Sequence, residues 1–91
     1  IRSRAFSGCV NLEKITLPTS LTEIEAYAFE NCSALREIAI PEGVRTIGNR
    51  AFYECKALPI IDLPNSLTSI GDSVFFSCTA LIKLVDSSAA R

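Results

Sequence analysis

The four cysteines are the residues whose chemistry and spacing first invite a functional interpretation. They are Cys9, Cys32, Cys55 and Cys78, and each follows the last after 23 residues. Four thiolates can hold a zinc ion, and paired thiols can form disulfides in an oxidising compartment. The chain has no histidine and no two cysteines separated by only two residues. The choice among these chemistries therefore depends on the elements that position the cysteines.

The 23-residue step of the cysteines is shared by many of the apolar residues around them. The sets with this step include Ile1, Ile24, Ile47 and Ile70; Phe6, Phe29, Phe52 and Phe75; and Leu12, Leu35, Leu58 and Leu81. A fixed period of about 20–50 residues is typical of solenoids, in which one unit stacks on the next. The sequence therefore predicts a stack of coils in which equivalent residues form columns.

One coil can be written as LxxIxLPxxLxxIxxxAFxxCxx, beginning at Leu12. The LxxIxLP part alternates apolar and polar residues as a strand does, and its proline ends the strand because proline has no N–H for a ladder. A second short extended piece follows at LxxI, and the spacing in AFxxC predicts a helical or 3₁₀ turn. Val74 replaces the alanine of AFxxC in the last coil, which it should crowd.

The 91 residues divide into about four such repeats and little else. We predict one solenoid domain over residues 1–85, with repeats at 1–23, 24–46, 47–69 and 70–85. The pattern then fails, since Asp86 stands where Leu63 did, and residues 86–91 are predicted to be a degenerate tail or a cap. Because the chain has no initial Met and opens inside a repeat, we expect it to be a piece of a longer protein.

The stacking geometry bears on the three chemistries open to the cysteines. Equivalent positions in adjacent coils lie about 4.8 Å apart, so four sulfurs span roughly 14 Å and cannot all lie about 2.3 Å from one zinc ion. A disulfide requires Cβ atoms about 3.8 Å apart, which is closer than this stacking gives. We favour a ladder of reduced, buried thiols that donate weakly to backbone carbonyls. The alternatives are a metal site, or bridges pairing Cys9 with Cys32 and Cys55 with Cys78.

The rest of the composition gives little support to catalysis or to binding through bulk charge. Histidine, the usual general base at neutral pH, is absent. The carboxylates fall at variable positions that should face solvent, among them Glu23, Glu25, Glu54 and Asp62. The formal net charge of −1 argues against nucleic-acid partners, and no apolar run is long enough to span a bilayer. We predict a non-enzymatic protein with no cofactor, no metal, no nucleic-acid partner and no membrane insertion.

The outward positions of the predicted strands change character along the stack. In the first two coils, Glu13 should lie beside Arg36 as an opposite charge on the adjacent strand. Lys14 should lie beside Glu37 in the same way. The later outward positions are apolar, namely Ala39, Pro59, Ile60, Ile82 and Val85. Apolar residues at sites that a solvated sheet fills with polar ones indicate a partner-binding surface, and Phe76 is predicted to be a second exposed site. The alternatives are that these residues form a crystal or oligomer contact, or that they are chance substitutions in a degenerate repeat.

Laid out in this way, the repeats resemble the BspA-like, or Treponema-type, class of leucine-rich repeats. The matching segments are LEKITLPTSLTEIEAYAFENC at 12–32, LREIAIPEGVRTIGNRAFYEC at 35–55 and LPIIDLPNSLTSIGDSVFFSC at 58–78. The resemblance implies a leucine-rich-repeat solenoid, a right-handed β-rich stack whose parallel sheet lines a concave face. It also implies a cell-surface or secreted location and a role in adhesion or protein binding.

Two functional hypotheses follow. In the first, the module binds a protein ligand, such as a host or extracellular-matrix protein, on the concave strand face. In the second, the repeats are a structural spacer, or self-associate as a homo-oligomer through open solenoid ends. Ile1 and Phe6 motivate the second hypothesis, because they belong to core columns and should be open at the end of the stack.

Overall fold

The computed structural model describes the backbone of residues 1–86 and the side chains of residues 1–82. The chain forms short strands of two to four residues, two per repeat over most of its length. They are β1 (Lys14–Thr16), β2 (Glu23–Ile24), β3 (Glu37–Ala39), β4 (Thr46–Ile47), β5 (Ile60–Leu63), β6 (Ser69–Ile70) and β7 (Lys83–Asp86). Apart from Asp86, the tail or cap predicted at 86–91 lies outside the described residues.

All pairings between the strands are parallel and join residues one repeat apart. β1 pairs with β3, with Ile15 opposite Ile38. β5 pairs with β7, with Ile61 opposite Leu84. The two-residue strands form a separate sheet in the order β2–β4–β6. Parallel strands in a 23-residue register confirm the solenoid that the period predicts.

The AFxxC segments form consecutive turns, and no helix is present in the part of the chain that the structure describes. In the second coil, the N–H groups of Ala28, Glu30 and Cys32 each donate to the carbonyl three residues earlier. These are bonds of the predicted 3₁₀ type. They form only at every second residue, however, so the segment does not become a helix.

The N–H groups between these turn bonds point to the next coil. A helix would use its N–H groups within the segment and leave none to join one coil to another. The bonds between coils are therefore the reason that this segment forms turns. In the second coil they run from Tyr27 to the carbonyl of Asn49 at 3.0 Å, from Phe29 to Ala51 at 2.8 Å and from Asn31 to Tyr53 at 2.7 Å.

This alternation is accompanied by left-handed backbone at two positions of each coil. φ is +63° at Tyr27 and +58° at Asn31 in the second coil, and +55° at Arg50 and +61° at Glu54 in the third. A left-handed conformation costs an ordinary L-residue roughly 1–2 kcal/mol. Tyrosine, arginine and glutamate are therefore held there against their own preference, and their N–H groups are among those that donate to the next coil.

The core contains the predicted columns, and its aromatic column stacks face to face. Phe29 and Phe52 are fully buried, with ring centroids 5.3 Å apart and 3° between the ring planes. From Phe52 to Phe75 the separation is 5.9 Å and the angle 13°. Val74 is buried in this last coil, where the preceding coils have alanine. The wider and less parallel stack agrees with the crowding predicted there.

Core columns become exposed at both ends of the described stack. Ile24 and Ile47 are buried, whereas Ile1 is half-buried and Ile70 is 45% exposed. These four residues share one column, so their exposure differs because of their place in the stack. Phe6 is also only half-buried, as the sequence predicts for an end residue.

The strand ladder is interrupted between the second and third coils. β3 and β5 lie in contact but do not pair, so that β1–β3 and β5–β7 form two separate ladders. At the preceding junction the Arg36 N–H donates to the Glu13 carbonyl at 2.8 Å. At the following junction the Ile82 N–H donates to the Pro59 carbonyl at 2.9 Å. The equivalent bond from residue 59 to the Arg36 carbonyl cannot form, because proline has no N–H.

Replacing Phe29 or Phe52 by alanine should lower the free energy of unfolding by about 3–5 kcal/mol, because each ring is fully buried between two others. The same change at Phe6 should cost less, because Phe6 is half-buried at one end of the column. Unfolding of the three variants in denaturant measures the difference. A larger loss for Phe6→Ala would contradict the stacking order.

Glu54→Asn should raise the free energy of unfolding by about 0.5–1 kcal/mol, because asparagine tolerates left-handed φ better than glutamate. The equivalent positions of the first two coils hold Gly8 and Asn31, both with positive φ. Lys56→Asn is the matched control, because Lys56 is exposed and does not have positive φ. If the two substitutions shift the denaturant midpoint equally, relief of backbone strain is not the cause.

Candidate binding surface on the strand face

The charged half of the strand face lies on and beside β1 and β3. Arg36 Nη2 is 2.6 Å from Glu13 Oε1. Lys14 Nζ is 3.6 Å from Glu37 Oε2. Both predicted cross-strand pairs are therefore present. All four side chains are exposed, so each pair contributes about 0.2–1 kcal/mol at most, and its main effect is to favour the correct register of the two strands.

A shallow open depression of about 370 Å³ lies beside these pairs, between β1 and β3. Its lining includes Lys14, Thr16, Glu37 and Ala39. Sites for small molecules enclose most of the ligand surface, which this depression does not do.

The exposed apolar residues of the strand face belong mainly to the third and fourth coils, where Asp62 is also exposed on β5. Ile60 is 49% exposed and Ile82 is 84% exposed. Ile60 pairs with Lys83, the residue after Ile82, so the two isoleucines lie at adjacent positions of adjacent coils. Pro59 accepts the bond from Ile82, and Ala39 is exposed on β3, across the interruption.

We name these four residues, Ala39, Pro59, Ile60 and Ile82, the apolar patch. The structure brings them to the strand face, where the sequence predicts them. The side chain of Val85, the remaining predicted member, lies outside the described residues, although its backbone pairs with Asp62.

Phe76 belongs to a different surface from the apolar patch. It is 58% exposed, lies in the turn segment of the fourth coil and stacks on Tyr53 with ring centroids 5.4 Å apart. The guanidinium of Arg50 lies over the Tyr53 ring at 5.3 Å, and that of Arg4 lies over Tyr27 at 4.3 Å. The sequence analysis missed these cation–π contacts. The signal for them was the recurrence of arginine and tyrosine in the turn segments.

The predicted thiol ladder is present. The Sγ atoms of the last three cysteines each donate to a phenylalanine carbonyl of the preceding coil: Cys32 to Phe6 at 3.1 Å, Cys55 to Phe29 at 3.2 Å and Cys78 to Phe52 at 3.0 Å. All four cysteines are free, and Cys9 differs from the prediction in being only half-buried, because it lies in the first coil. Among the side chains of residues 1–82, no group of three or more His, Cys, Asp or Glu could hold a metal ion.

Burial controls the acidity of these thiols. It raises the pKa of Cys32 from an ordinary value of 9.0 to about 11 and the pKa of Cys55 to about 12. At Cys55 the neighbouring thiols of Cys32 and Cys78 raise the pKa further, because thiolates in one column repel each other. The thiolate is the nucleophile and the metal ligand. Cys32 and Cys55 therefore stay protonated and inert at neutral pH, and their contribution is to packing.

Comparisons with known proteins agree with this architecture. A family model described as "BspA type Leucine rich repeat region (6 copies)" matches residues 1–89. The crystal structure of a T. pallidum leucine rich repeat protein matches 98% of this chain and 45% of that chain, with 39% sequence identity and a TM-score of 0.85. A leucine-rich repeat protein from Bacteroides ovatus ATCC 8483 matches 93% of this chain and 28% of that chain, with 34% identity and a TM-score of 0.85.

The chain therefore spans less than half the length of either of these solved relatives. A comparison with curated protein sequences gives no significant match. Among the described residues, no helix is long and apolar enough to cross a membrane.

The free energy of unfolding should fall as the pH rises above about 9 and approaches 11–12. In this range the thiols of the unfolded chain ionise, because their ordinary pKa is 9.0, whereas Cys32 and Cys55 of the folded chain keep their protons. Below about pH 9 both states keep these protons, and the contribution is fully present. Denaturant unfolding at about pH 7.5 and about pH 10.5 measures the loss, which Cys55→Ala should reduce. An equal loss in this variant would show that the loss comes from other groups.

Proposed function

Because the chain belongs to the BspA-type leucine-rich-repeat family, we propose that it is a non-enzymatic protein-binding module of a cell-surface or secreted protein. The module adheres to a protein ligand, such as a host or extracellular-matrix protein, through its strand face. The observation that carries this proposal is the exposure of Ile60 and Ile82 at neighbouring positions of that face. The location at the cell surface rests on the family alone.

The physical case for the apolar patch is the free energy that its burial would release. Removing apolar surface from water contributes roughly 25 cal/mol per Å². Interfaces draw most of their affinity from a few desolvated residues near the centre, surrounded by polar contacts that exclude water. Ile60 and Ile82 fit the central role, and the pairs of Glu13 with Arg36 and of Lys14 with Glu37 supply a charged border on one side.

The rigidity of the scaffold supports the same function. The side chains of the strand face stand on segments whose backbone is bonded to the neighbouring coils, for example between β5 and β7. A surface held in this way loses little conformational entropy when a partner binds. In residues 1–82, no charged or polar residue is buried. Apart from the thiols of Cys32, Cys55 and Cys78, whose pKa values are raised so that they stay protonated, a burial-tuned acid or base is therefore not found in this part of the chain.

The proposal predicts that Ile60→Ser with Ile82→Ser weakens binding to an extracellular-matrix protein at least tenfold, because the apolar contact is lost. The melting temperature should stay nearly the same, since exposed positions contribute little to stability. The assay is surface binding of the purified protein to a panel of purified extracellular-matrix proteins. Val10→Ser is the matched control, because Val10 is 48% exposed and lies outside the apolar patch.

Each outcome of this assay either supports or contradicts the proposal. Binding by the unsubstituted protein and the Val10→Ser variant, with loss in the double variant, supports the proposal. Absence of binding to every member of the panel, or an equal loss in Val10→Ser, would overturn it.

Self-association through the ends of the stack is the second candidate function, together with a role as a structural spacer. In interior coils the N–H groups of the turn donate to the next coil, as Phe29 does to Ala51. The equivalent groups of Ser73, Phe75 and Ser77 face the end of the described stack. Their partners in a second copy would be the carbonyls of the first turn, because these occupy the matching column. Ile70, 45% exposed at the same end, would then pack against Ile1.

Light scattering over a range of protein concentrations tests this second candidate. Growth of the particle mass with concentration, unchanged by the Ile60→Ser and Ile82→Ser substitutions, supports association through the ends. If those two substitutions abolish the growth, the strand face is itself an oligomer interface, and the adhesion proposal loses its main support.

A further inference from the structure

Side-chain hydrogen bonds join the second and third coils in the segments that directly follow β3 and β5. Ser66 Oγ accepts from the N–H of Gly43 at 2.9 Å and donates to the carbonyl of Val44 at 2.7 Å. Glu42 Oε2 accepts from the N–H of Asn65 at 3.2 Å. The hydroxyl of Ser66 therefore bonds the third coil to the second as a donor and as an acceptor at once.

The equivalent segments of the first and second coils are joined differently. Gly43 stands at the position of Ser66 one coil earlier, and it has no side chain that could bond to the first coil. Where the structure describes the side chains, no side-chain hydrogen bond joins the segments that follow β1 and β3. There the strands themselves pair, along three residues. The side-chain bonds are thus found at the junction where Pro59 removes a strand bond.

The surroundings of Ser66 favour these two bonds. Ser66 is half-buried, whereas Ser20, its equivalent in the first coil, is exposed and forms no side-chain hydrogen bond. Partial burial reduces the competition from water for the hydroxyl group. Beyond Ser66 the junction continues as backbone bonds, with the N–H of Thr68 donating to the carbonyl of Arg45 at 2.8 Å. Ser66 therefore lies between the unpaired strands and the next bonded segment.

We propose that Ser66 is a positioning residue for the strand face. Its two bonds fix the chain after β5 on the chain after β3, and so set the position of Ile60 relative to Ala39. These bonds carry this alignment because β3 and β5 lie in contact without pairing. A ligand that contacts both strand ladders would require the alignment. That consequence rests on the proposed function, whereas the positioning does not.

Hydrogen exchange on the ligand-free protein tests the proposal. Ser66→Ala removes both bonds, so the amide of Thr68, which donates to Arg45 across the same junction, should exchange roughly tenfold faster. The amide of Arg36, which donates across the first junction, should keep its rate. Ser20→Ala is the matched control, because it removes the equivalent hydroxyl where that group has no partner, and it should change neither rate.

Two further variants separate the hydroxyl from the shape of the side chain. Threonine and valine have nearly the same shape, and only threonine keeps a hydroxyl. Exchange at Thr68 should therefore stay near the unsubstituted rate in Ser66→Thr and rise in Ser66→Val. The methyl resonances of Ala39 and Ile60 report the alignment itself. They should shift in Ser66→Ala and Ser66→Val, and stay in place in Ser66→Thr and Ser20→Ala.

Several results would overturn the positioning role of Ser66. One is an unchanged Thr68 rate in Ser66→Ala, and another is the same rate in the threonine and valine variants. Equal acceleration at Arg36 would show a loss of overall stability instead of a local effect. Methyl resonances of Ala39 and Ile60 that do not move would show that the alignment is set elsewhere. None of these measurements uses the binding assay, so the positioning role and the adhesion proposal can fail separately.

Discussion

Each coil of this protein is held in shape by hydrogen bonds to its neighbours, and the rest of the structure depends on that constraint. In the turn segments alternate N–H groups donate forward along the chain, as from Phe29 to Ala51. Beside the strands N–H groups donate backward, as from Gly48, the residue after β4, to Ile24 at 2.7 Å. Both sets of bonds form only when equivalent residues lie side by side. A coil of another length would lose this match, so the repeat length is fixed at 23 residues.

The same constraint places like residues on like residues throughout the core. Phenylalanine rings stack on phenylalanine rings, and thiols donate to the backbone of the coil before them. In residues 1–82, no buried side-chain nitrogen or oxygen lacks a hydrogen-bond partner. The interior therefore combines apolar columns with a bonded backbone, and stability accumulates from one nearest-neighbour contact to the next.

The sequence was sufficient to predict what repeats, because the period alone places Phe29, Cys32 and Ile38 in columns and Arg36 beside Glu13. It did not predict the left-handed residues, because Tyr27 and Arg50 carry no local preference for positive φ. The period does place Phe76 in the column of Tyr53, but it did not predict the arginine that lies over the Tyr53 ring. Pro59 was predicted as part of an apolar surface, whereas its effect on the ladder follows from the neighbouring coil.

The residues that depart from the repeat distinguish one coil from another. In a perfectly periodic chain, a coil displaced by one whole unit would find the same partners, and many misaligned states would have nearly equal energy. Val74 and Pro59 remove that equivalence. If Val74 were shifted by one coil, it would lie beside phenylalanine rings whose centroids are 5.3 Å apart, a spacing found where the coils have alanine. If Pro59 were shifted by one coil, it would interrupt a different strand ladder. Irregularities of this kind distinguish the native alignment from alignments shifted by a whole coil, which the repeated columns cannot do.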